Sequence, residues 1–361
     1  MTKPTQSPSA IPLADRDLDV VVIGGGQAGL AAGYYLRRAG VRFVILDASA
    51  DPGGAWQHGW NSLRLFSPAE YSPLPGWPMP RQEGEEYPTA SHVVDYLRAY
   101  EHRYDLPTHR PVRVSAVRRD GEQLAVDTDH GTWQAAHVIS ATGTWGNPYV
   151  PTYPGESSYT GKQLHTVDYS SPDSFQGKRV AVVGGGNSAA QILADVSMVA
   201  ATRWYAQRPP RFMPDDVDGR VLFDVASRRE AAQRHGKQTA GVSALGDVVM
   251  VESVREARDR GVLHTLPMFH QLTAHGVIES DGSEWECDAV IWCTGFRPTL
   301  DHLAPLHLTT RAGEPLTNGT RSADEPRLDL LGYGDWTGIA SATIVGASRT
   351  AKLAVADIVN S

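Results

Sequence analysis

The apolar run Val20-Val21-Val22-Ile23 stops at Gly24-Gly25-Gly26-Gln27-Ala28-Gly29, and apolar residues then recur at helical spacing to about residue 39. A second apolar run, Phe43-Val44-Ile45-Leu46, ends in Asp47. The same order of patterns returns 160 positions later. Val180-Ala181-Val182-Val183 leads into Gly184-Gly185-Gly186-Asn187-Ser188-Ala189, a helical stretch to about 199, and a run over 202–206 that ends at Gln207. Short unbroken apolar runs suit strands covered on both faces, as in a parallel sheet. Each unit therefore predicts strand, tight turn, helix, strand.

The rest of the chain is punctuated differently. Residues 51–90 are rich in Gly, Pro and aromatic residues and have no period of either kind, which predicts a long functional loop. Val93, Val94, Leu97 and Tyr100 predict a helix over 91–104, with Ser91 as its N-cap. Alternating stretches 111–119 and 122–128 flank Asp120-Gly121, a hairpin signal. A strand over 137–140 ends in Ala141-Thr142-Gly143, and one over 289–292 ends in Cys293-Thr294-Gly295. Between the second glycine unit and that last strand, 209–250 reads as irregular, 251–260 as a helix, and the flanks of Asp281-Gly282 as two short strands. A strand over 328–331 and a helix running to about 359 close the chain. The pattern gives an α/β protein with two Rossmann-like dinucleotide-binding domains, the second inserted into the first. The first would comprise 19–150 and 295–361, the second 155–290.

The two glycine turns carry the candidate chemistry. In a strand–turn–helix setting, Gly24, Gly26 and Gly29, and likewise Gly184, Gly186 and Ala189, let a pyrophosphate approach the backbone at a helix N-terminus. The strand ends differ. Asp47 stands twenty-three residues after Gly24 and would accept hydrogen bonds from a bare ribose diol. Gln207 stands at the same distance from Gly184, followed by Arg208, and this pair does not repel a 2′-phosphate. The first unit thus predicts an FAD site containing Gly24, Gly26, Gln27, Gly29, Asp47 and Gly143. The second predicts an NADPH or NADH site containing Gly184, Gly186, Asn187, Ser188, Gln207, Arg208, Thr294 and Gly295. Asp335, after the last strand, would accept from a ribityl hydroxyl, and the helix starting near 340–343 would aim its N–H groups at the flavin.

Composition narrows the partners. A net charge of −8 with both signs interspersed argues against nucleic acid or an anionic membrane surface. No apolar run approaches the ~18 residues of a spanning helix. Residues 1–18 are polar and lack the apolar core of a signal peptide, so they read as a disordered lead and the protein as cytoplasmic. Cys287 and Cys293 form neither a CxxC pair nor a zinc pattern and read as buried or idle thiols. His58, His92, His102 and His130 show no metal spacing and read as structural or solvated.

Further motifs carry a resemblance. Gly53-Gly54-Ala55-Trp56 follows the first unit, and Tyr159-x-Gly161-x-x-x-His165-x-x-x-Tyr169 lies between the two. With the two glycine turns, the chain resembles the flavin-containing monooxygenases, class B flavoproteins related to Baeyer–Villiger monooxygenases. It is most similar to a compact bacterial subgroup, through Leu65-Phe66-Ser67-Pro68, Pro214-Asp215-Asp216-Val217-Asp218-Gly219-Arg220 and Gly332-Tyr333-Gly334-Asp335-Trp336. The resemblance implies that Gly54 and Trp56 pack on the flavin. It also implies that His165 and Tyr169 belong to the linker near the nicotinamide, with His165 in a packing and hinge role. It implies a reaction in which NAD(P)H reduces FAD, O2 forms a C4a-(hydro)peroxide, and oxygen passes to a thioether (sulfoxidation) or a small ketone. The implied partners are O2 and a small-molecule substrate, and a homodimer is compatible with the resemblance. Two departures keep alternatives open. Phe66 stands where the family places an asparagine, which leaves room for an NAD(P)H oxidase or flavin reductase that releases peroxide. Gln207-Arg208 stands where strict NADPH users carry Arg then Thr, so both NADH and NADPH are expected.

Overall fold

A computed structural model describes residues 17–234 and 245–360. The disordered lead expected over 1–18 lies outside the described residues as far as residue 16, and residues 17 and 18 open the first strand. The strands are β1 Asp17–Ile23, β2 Phe43–Leu46, β3 Thr108–His109, β4 Val114–Asp120, β5 Gln123–Thr128, β6 Gly131–Ser140, β7 Lys162–His165, β8 Arg179–Val183, β9 Ala201–Ala206 and β10 Thr265–Pro267. They continue as β11 Gln271–Leu272, β12 Gly276–Ile278, β13 Glu284–Glu286, β14 Ala289–Trp292, β15 Thr310–Arg311, β16 Glu314–Pro315, β17 Thr317–Asn318, β18 Arg321–Ser322 and β19 Leu328–Leu330. The helices are α1 Gln27–Ala39, α2 Ala90–Arg103, α3 Asn187–Val196, α4 Gly219–Arg234, α5 Glu252–Asp259 and α6 Ile344–Val359.

Two sheets organise the molecule. The first runs β17-β18-β19-β6-β1-β2-β3, parallel from β19 to β3, with the β4–β5 hairpin attached to β6. The second runs β10-β9-β8-β14-β7 and is parallel throughout. Strands of the first sheet come from both ends of the chain and those of the second from its middle, so the second unit is an insertion into the first. Alternation along β1 explains the layering. Val20 and Val22 face a core shared with α1, α2 and α6, while Val21 and Ile23 face one shared with β4, β5 and the 300–306 turn. In the second sheet, Val180 and Val182 pack under α3 and α5, and Ala181 and Val183 face the β11–β13 side. Parallel strands covered on both faces are why each reads as a continuous apolar run.

Three elements differ from the sequence reading. Within 209–250, expected to be irregular, residues 219–234 form α4; Asp218 accepts from the backbone N–H groups of Arg220 (2.8 Å) and Val221 (3.4 Å), so an aspartate cap starts the helix. The cap of α2 is Thr89, which accepts from His92 N–H at 3.2 Å, whereas Ser91 lies inside the helix. The helix expected to reach 199 ends at Val196. No helix among the described residues is long and apolar enough to cross a membrane.

Candidate active site

A cavity of about 550 Å³ opens at the C-terminal ends of β1, β2 and β6, where ligands of open parallel sheets bind. Its walls include Gly24, Gly26, Gln27, Asp47, Gly54, Trp56 and Gly143, all expected from the sequence. Gly29 lies beneath and allows α1 to pack: a methyl group there would overlap the Gly24 carbonyl. At Gly24, φ is +105°, and a Cβ would fall 2.5 Å from the Ala141 carbonyl oxygen. Gly54 packs backbone to backbone on the turn, with room for a Cβ only 2.7 Å from Gly26 Cα. Gly26 caps α1 without a side-chain hydrogen bond, so the first-turn N–H groups of α1 are left for a ligand. A glycine cradle, free helix N–H groups and a buried acid at the next strand end fit the pyrophosphate and ribose of FAD.

Other residues fix these walls. Gln27 acts as a brace: its Nε2 donates to the Ala342 carbonyl (2.7 Å) and its Oε1 accepts from Trp56 Nε1 (2.9 Å). This ties the Trp56 ring and the start of α6 to the glycine turn. Asp47 is 6 % exposed and accepts from Arg110 Nε at 2.8 Å and Ser49 N–H at 3.2 Å. Arg110, itself buried, also donates to Glu101 at 2.6 Å. No sequence pattern marked Arg110, because its partners are 63 and 9 positions away.

Beneath Gly143 lies a buried hydroxyl chain. Thr142 Oγ1 donates to the Thr299 carbonyl (2.6 Å), so the 2.7 Å contact with Tyr333 requires the phenol to donate to Thr142. Ser140, 2.6 Å from the same phenol, must then donate to it, and His302 Nε2 donates to Ser140 at 3.0 Å. Burial pushes the His302 imidazole down to about 4, so it is neutral. His302 also lines the cavity. Asp335 was expected to contact the cofactor, but it is exposed, does not line the cavity, and braces the Ala340 N–H at 2.9 Å. The turn around it, with φ of +104° at Gly334, carries the carboxylate outward. From this stretch Leu331 and Gly332 line the cavity, and Tyr333, two positions before Asp335, supports it through the hydroxyl chain.

The second glycine turn repeats the plan. At Gly184, φ is +139°, and a Cβ would overlap the Cys293 carbonyl, as at Gly24 and Ala141. Gly186 caps α3 without a side-chain hydrogen bond, and nothing lies within 4 Å of a Cβ placed there. Asn187 accepts from Val249 N–H at 2.8 Å, and Ser188 follows it in the first turn of α3. Gln207 and Arg208 are exposed at the end of β9, and Arg208 is paired with Asp247. Thr294 donates to the Tyr149 carbonyl, and the Gly295 carbonyl accepts from Tyr149 N–H at 3.0 Å and from His165 Nε2 at 3.0 Å.

The two turns are joined by paired chain crossings. Thr299 N–H donates to Gly143 O (2.9 Å), Arg297 N–H to Asn147 O (2.9 Å) and Tyr149 N–H to Gly295 O. Rings run along this junction: His165 edge-on to Phe296 (5.1 Å), Phe296 stacked on Trp145 (5.3 Å), and Trp145 stacked on His58 (6.1 Å). Trp145 and His58 line the cavity, and His58, read from the sequence as structural or solvated, is exposed there. His165 is buried. Its Nδ1 accepts from Val167 N–H and its Nε2–H goes to Gly295, and burial pushes its imidazole below the ordinary value. Both nitrogens are used structurally, which suits a positioning role.

Two residues that the resemblance places near the flavin and the nicotinamide, Phe66 and Tyr169, lie away from the cavity. Tyr169 packs in the core under α3 against Trp60 and Phe175, and its hydroxyl donates to Asp195 at 3.4 Å. Phe66 does not line the cavity; its ring packs on Met213, Val217 and Val249. The two cysteines are buried and unpaired. Cys293 packs in the core under α3, whereas Cys287, which precedes β14, packs in the core on the opposite face of the sheet, and burial pushes the Cys293 thiol up to about 12. They cannot serve as a redox pair.

The chain is similar to known proteins over nearly its whole length. The model of the pyridine nucleotide-disulphide oxidoreductase family matches residues 21–328. A flavin-containing monooxygenase from Stenotrophomonas maltophilia is 51 % identical, with a TM-score of 0.86, over 95 % of this chain and 98 % of its own. An uncharacterised oxidoreductase of Geobacillus kaustophilus is 29 % identical over 95 % of this chain and 99 % of its own. A bacillithiol disulfide reductase from Bacillus cereus is 19 % identical, with a TM-score of 0.71, over 95 % of this chain and 99 % of its own. That last likeness is one of fold.

Proposed function

This chain belongs to the pyridine nucleotide-disulphide oxidoreductase family and to the flavin-containing monooxygenases, and we propose that it oxygenates small soft nucleophiles such as thioethers, or small ketones, using FAD and either NADPH or NADH. FAD held in the cavity supplies hydride acceptance and O2 activation; the protein supplies position, charge and exclusion of water. Gly24, Gly26 and the N-terminus of α1 would hold the pyrophosphate, and Asp47, oriented by Arg110, the adenosine ribose. Gly184, Gly186 and the start of α3 would dock NAD(P)H. Gln207, a neutral residue at the β9 end, supports acceptance of both dinucleotides. His165, neutral and fixed to Gly295, would hold the junction between the sites without adding charge near the nicotinamide. Trp145, Trp56 and His58 would wall the region where a small substrate meets the flavin.

The observation that carries this reading is the repetition of one turn geometry, Gly24 against Ala141 and Gly184 against Cys293, with paired crossings between the two turns. A hydride donor and a hydride acceptor need such a junction. The test is a balance sheet of oxygen. FAD-loaded protein is given NADPH or NADH with a thioether or a small ketone, and O2 consumed is compared with sulfoxide or ester formed and peroxide released. Most of the oxygen is expected in product for at least one substrate, with either dinucleotide. Peroxide equal to oxygen consumed for every substrate would make the protein an NAD(P)H oxidase.

A further inference from the structure

Asp247 lies at the mouth of the second glycine turn, where no sequence pattern marked it. A parallel bridge between Phe212 and Val248 fixes its backbone: Asp247 N–H donates to Arg211 O (2.7 Å) and Met213 N–H to Val248 O (2.9 Å). The next residue along, Val249, donates to Asn187 at the start of α3, so the segment is anchored to the turn itself. Arg208 O lies 3.8 Å from where a Cβ on Gly185 would sit. The carboxylate accepts from Arg208 Nη1 (2.8 Å) and Nη2 (3.1 Å), and from Arg211 through its backbone N–H (2.9 Å), Nε (3.3 Å) and Nη2 (3.1 Å). The Asp247 side chain is 15 % exposed, against 66 % for Arg208 and 54 % for Arg211. These bonds hold its carboxyl far below the usual range, so it is ionised at any working pH.

Two guanidinium groups thus converge beside the β9 end and share one carboxylate. A 2′-phosphate is recognised by such forks, but here it would have to displace an acid already engaged by both. The acid also carries the wrong sign for a phosphate dianion and the right one for a ribose hydroxyl. We propose that Asp247 is a specificity-determining residue: by engaging Arg208 and Arg211 it suppresses a 2′-phosphate site and keeps NADH competitive with NADPH. The inference rests on the second glycine turn being the dinucleotide site.

The test uses FAD-loaded protein and the non-reducing probes NADP+ and NAD+, with dissociation constants read by titration. Asp247→Asn removes the negative charge that both forks engage. NADP+ is expected to bind at least about tenfold more tightly, with NAD+ changed by less than about threefold. Arg208→Ala is expected to cost NADP+ little in the parent but to remove most of the gain in the Asp247→Asn background, a coupling that two independent sites would not show. Added salt should weaken NADP+ binding more in Asp247→Asn than in the parent. If the asparagine variant does not retain FAD, Asp247→Ser is judged on the same criteria. Equal shifts for the two probes, or weaker NADP+ binding, would overturn the role of Asp247. Absence of binding of either probe to the parent would overturn the docking reading itself.

Discussion

At the first glycine turn, the acid that ends β2 is buried and clamped; at the second, the pair that ends β9 stands in solvent. Asp47 and Arg110 are both under a tenth exposed, whereas Arg208 is 66 % exposed. The backbones are otherwise matched, each with a positive-φ glycine pressed on a carbonyl of a return turn. The difference suits residence times. A cofactor that stays can be met by charges paired and desolvated in advance, while a cosubstrate that must leave each turnover meets groups that remain hydrated. Burial also sets the cost of error: a buried charge left alone is expensive, and an exposed one is not.

The largest contrast is expected at the glycines. Gly29→Ala forces a methyl into the Gly24 carbonyl, with no flexible side chain to yield, and should abolish FAD retention and most of the folded yield. Gly186→Ala meets nothing within 4 Å and should leave melting temperature and flavin content unchanged. Flavin-to-protein absorbance ratios decide this, and equal loss in both would erase the contrast. Next, Arg110→Met leaves Asp47 and Glu101 without their counter-ion and should cost about 3–5 kcal/mol of stability. Arg208→Met should leave denaturant midpoints unchanged, and a similar loss in both would show that burial is not what separates the turns.

Proton linkage gives a smaller effect. The folded state does not protonate His302 until about pH 4, whereas the unfolded chain does so near pH 6.5. Its contribution to stability is therefore full above about 6.5 and is lost as pH falls towards 4. Asp329 works in the opposite sense. Burial pushes its carboxyl up to about 6, so the folded state takes up a proton before the unfolded one, and stability rises as pH falls from about 6 towards 4. Urea unfolding at pH 7 and pH 5 should show His302→Asn to be less acid-sensitive than the parent by about 2 kcal/mol. Asp329→Asn should be more so. Reversed signs would contradict the burial of these groups. The smallest effect is expected from Phe66→Asn, which should cost about 1–2 kcal/mol by unpacking Met213 and Val217 and leave the yield of oxygenated product per O2 unaltered. Altered oxygen coupling at unchanged stability would return Phe66 to the flavin.

Both glycine units were legible because their signals are local: an apolar run, a turn and a helix within about twenty residues. Asp47 was legible for the same reason, and Gly54 and Trp56 through the family resemblance. Arg110, Tyr333, His302 and Asp247 were not, because each acts through a partner that only the fold brings near. Tyr333 lies two residues from Asp335, yet the turn between them sends one side chain into the hydroxyl chain and the other into solvent. Tyr169 is the converse case: a residue of the linker motif whose ring the fold buries in the core. The α4 helix was within reach, since Asp218 followed by Val221 and Leu222 is a capped helix start. The glycine before them and the turn residues over 213–219 masked it.

The most direct measurement is anaerobic flavin reduction in Gly186→Ala, matched to the parent in FAD content and followed by the bleaching of the flavin band against NADPH and NADH concentration. If the second turn docks the dinucleotide, the variant keeps its visible spectrum and needs a several-fold higher concentration of either dinucleotide for the same rate. Identical concentration dependence in variant and parent would contradict the assignment of the second turn.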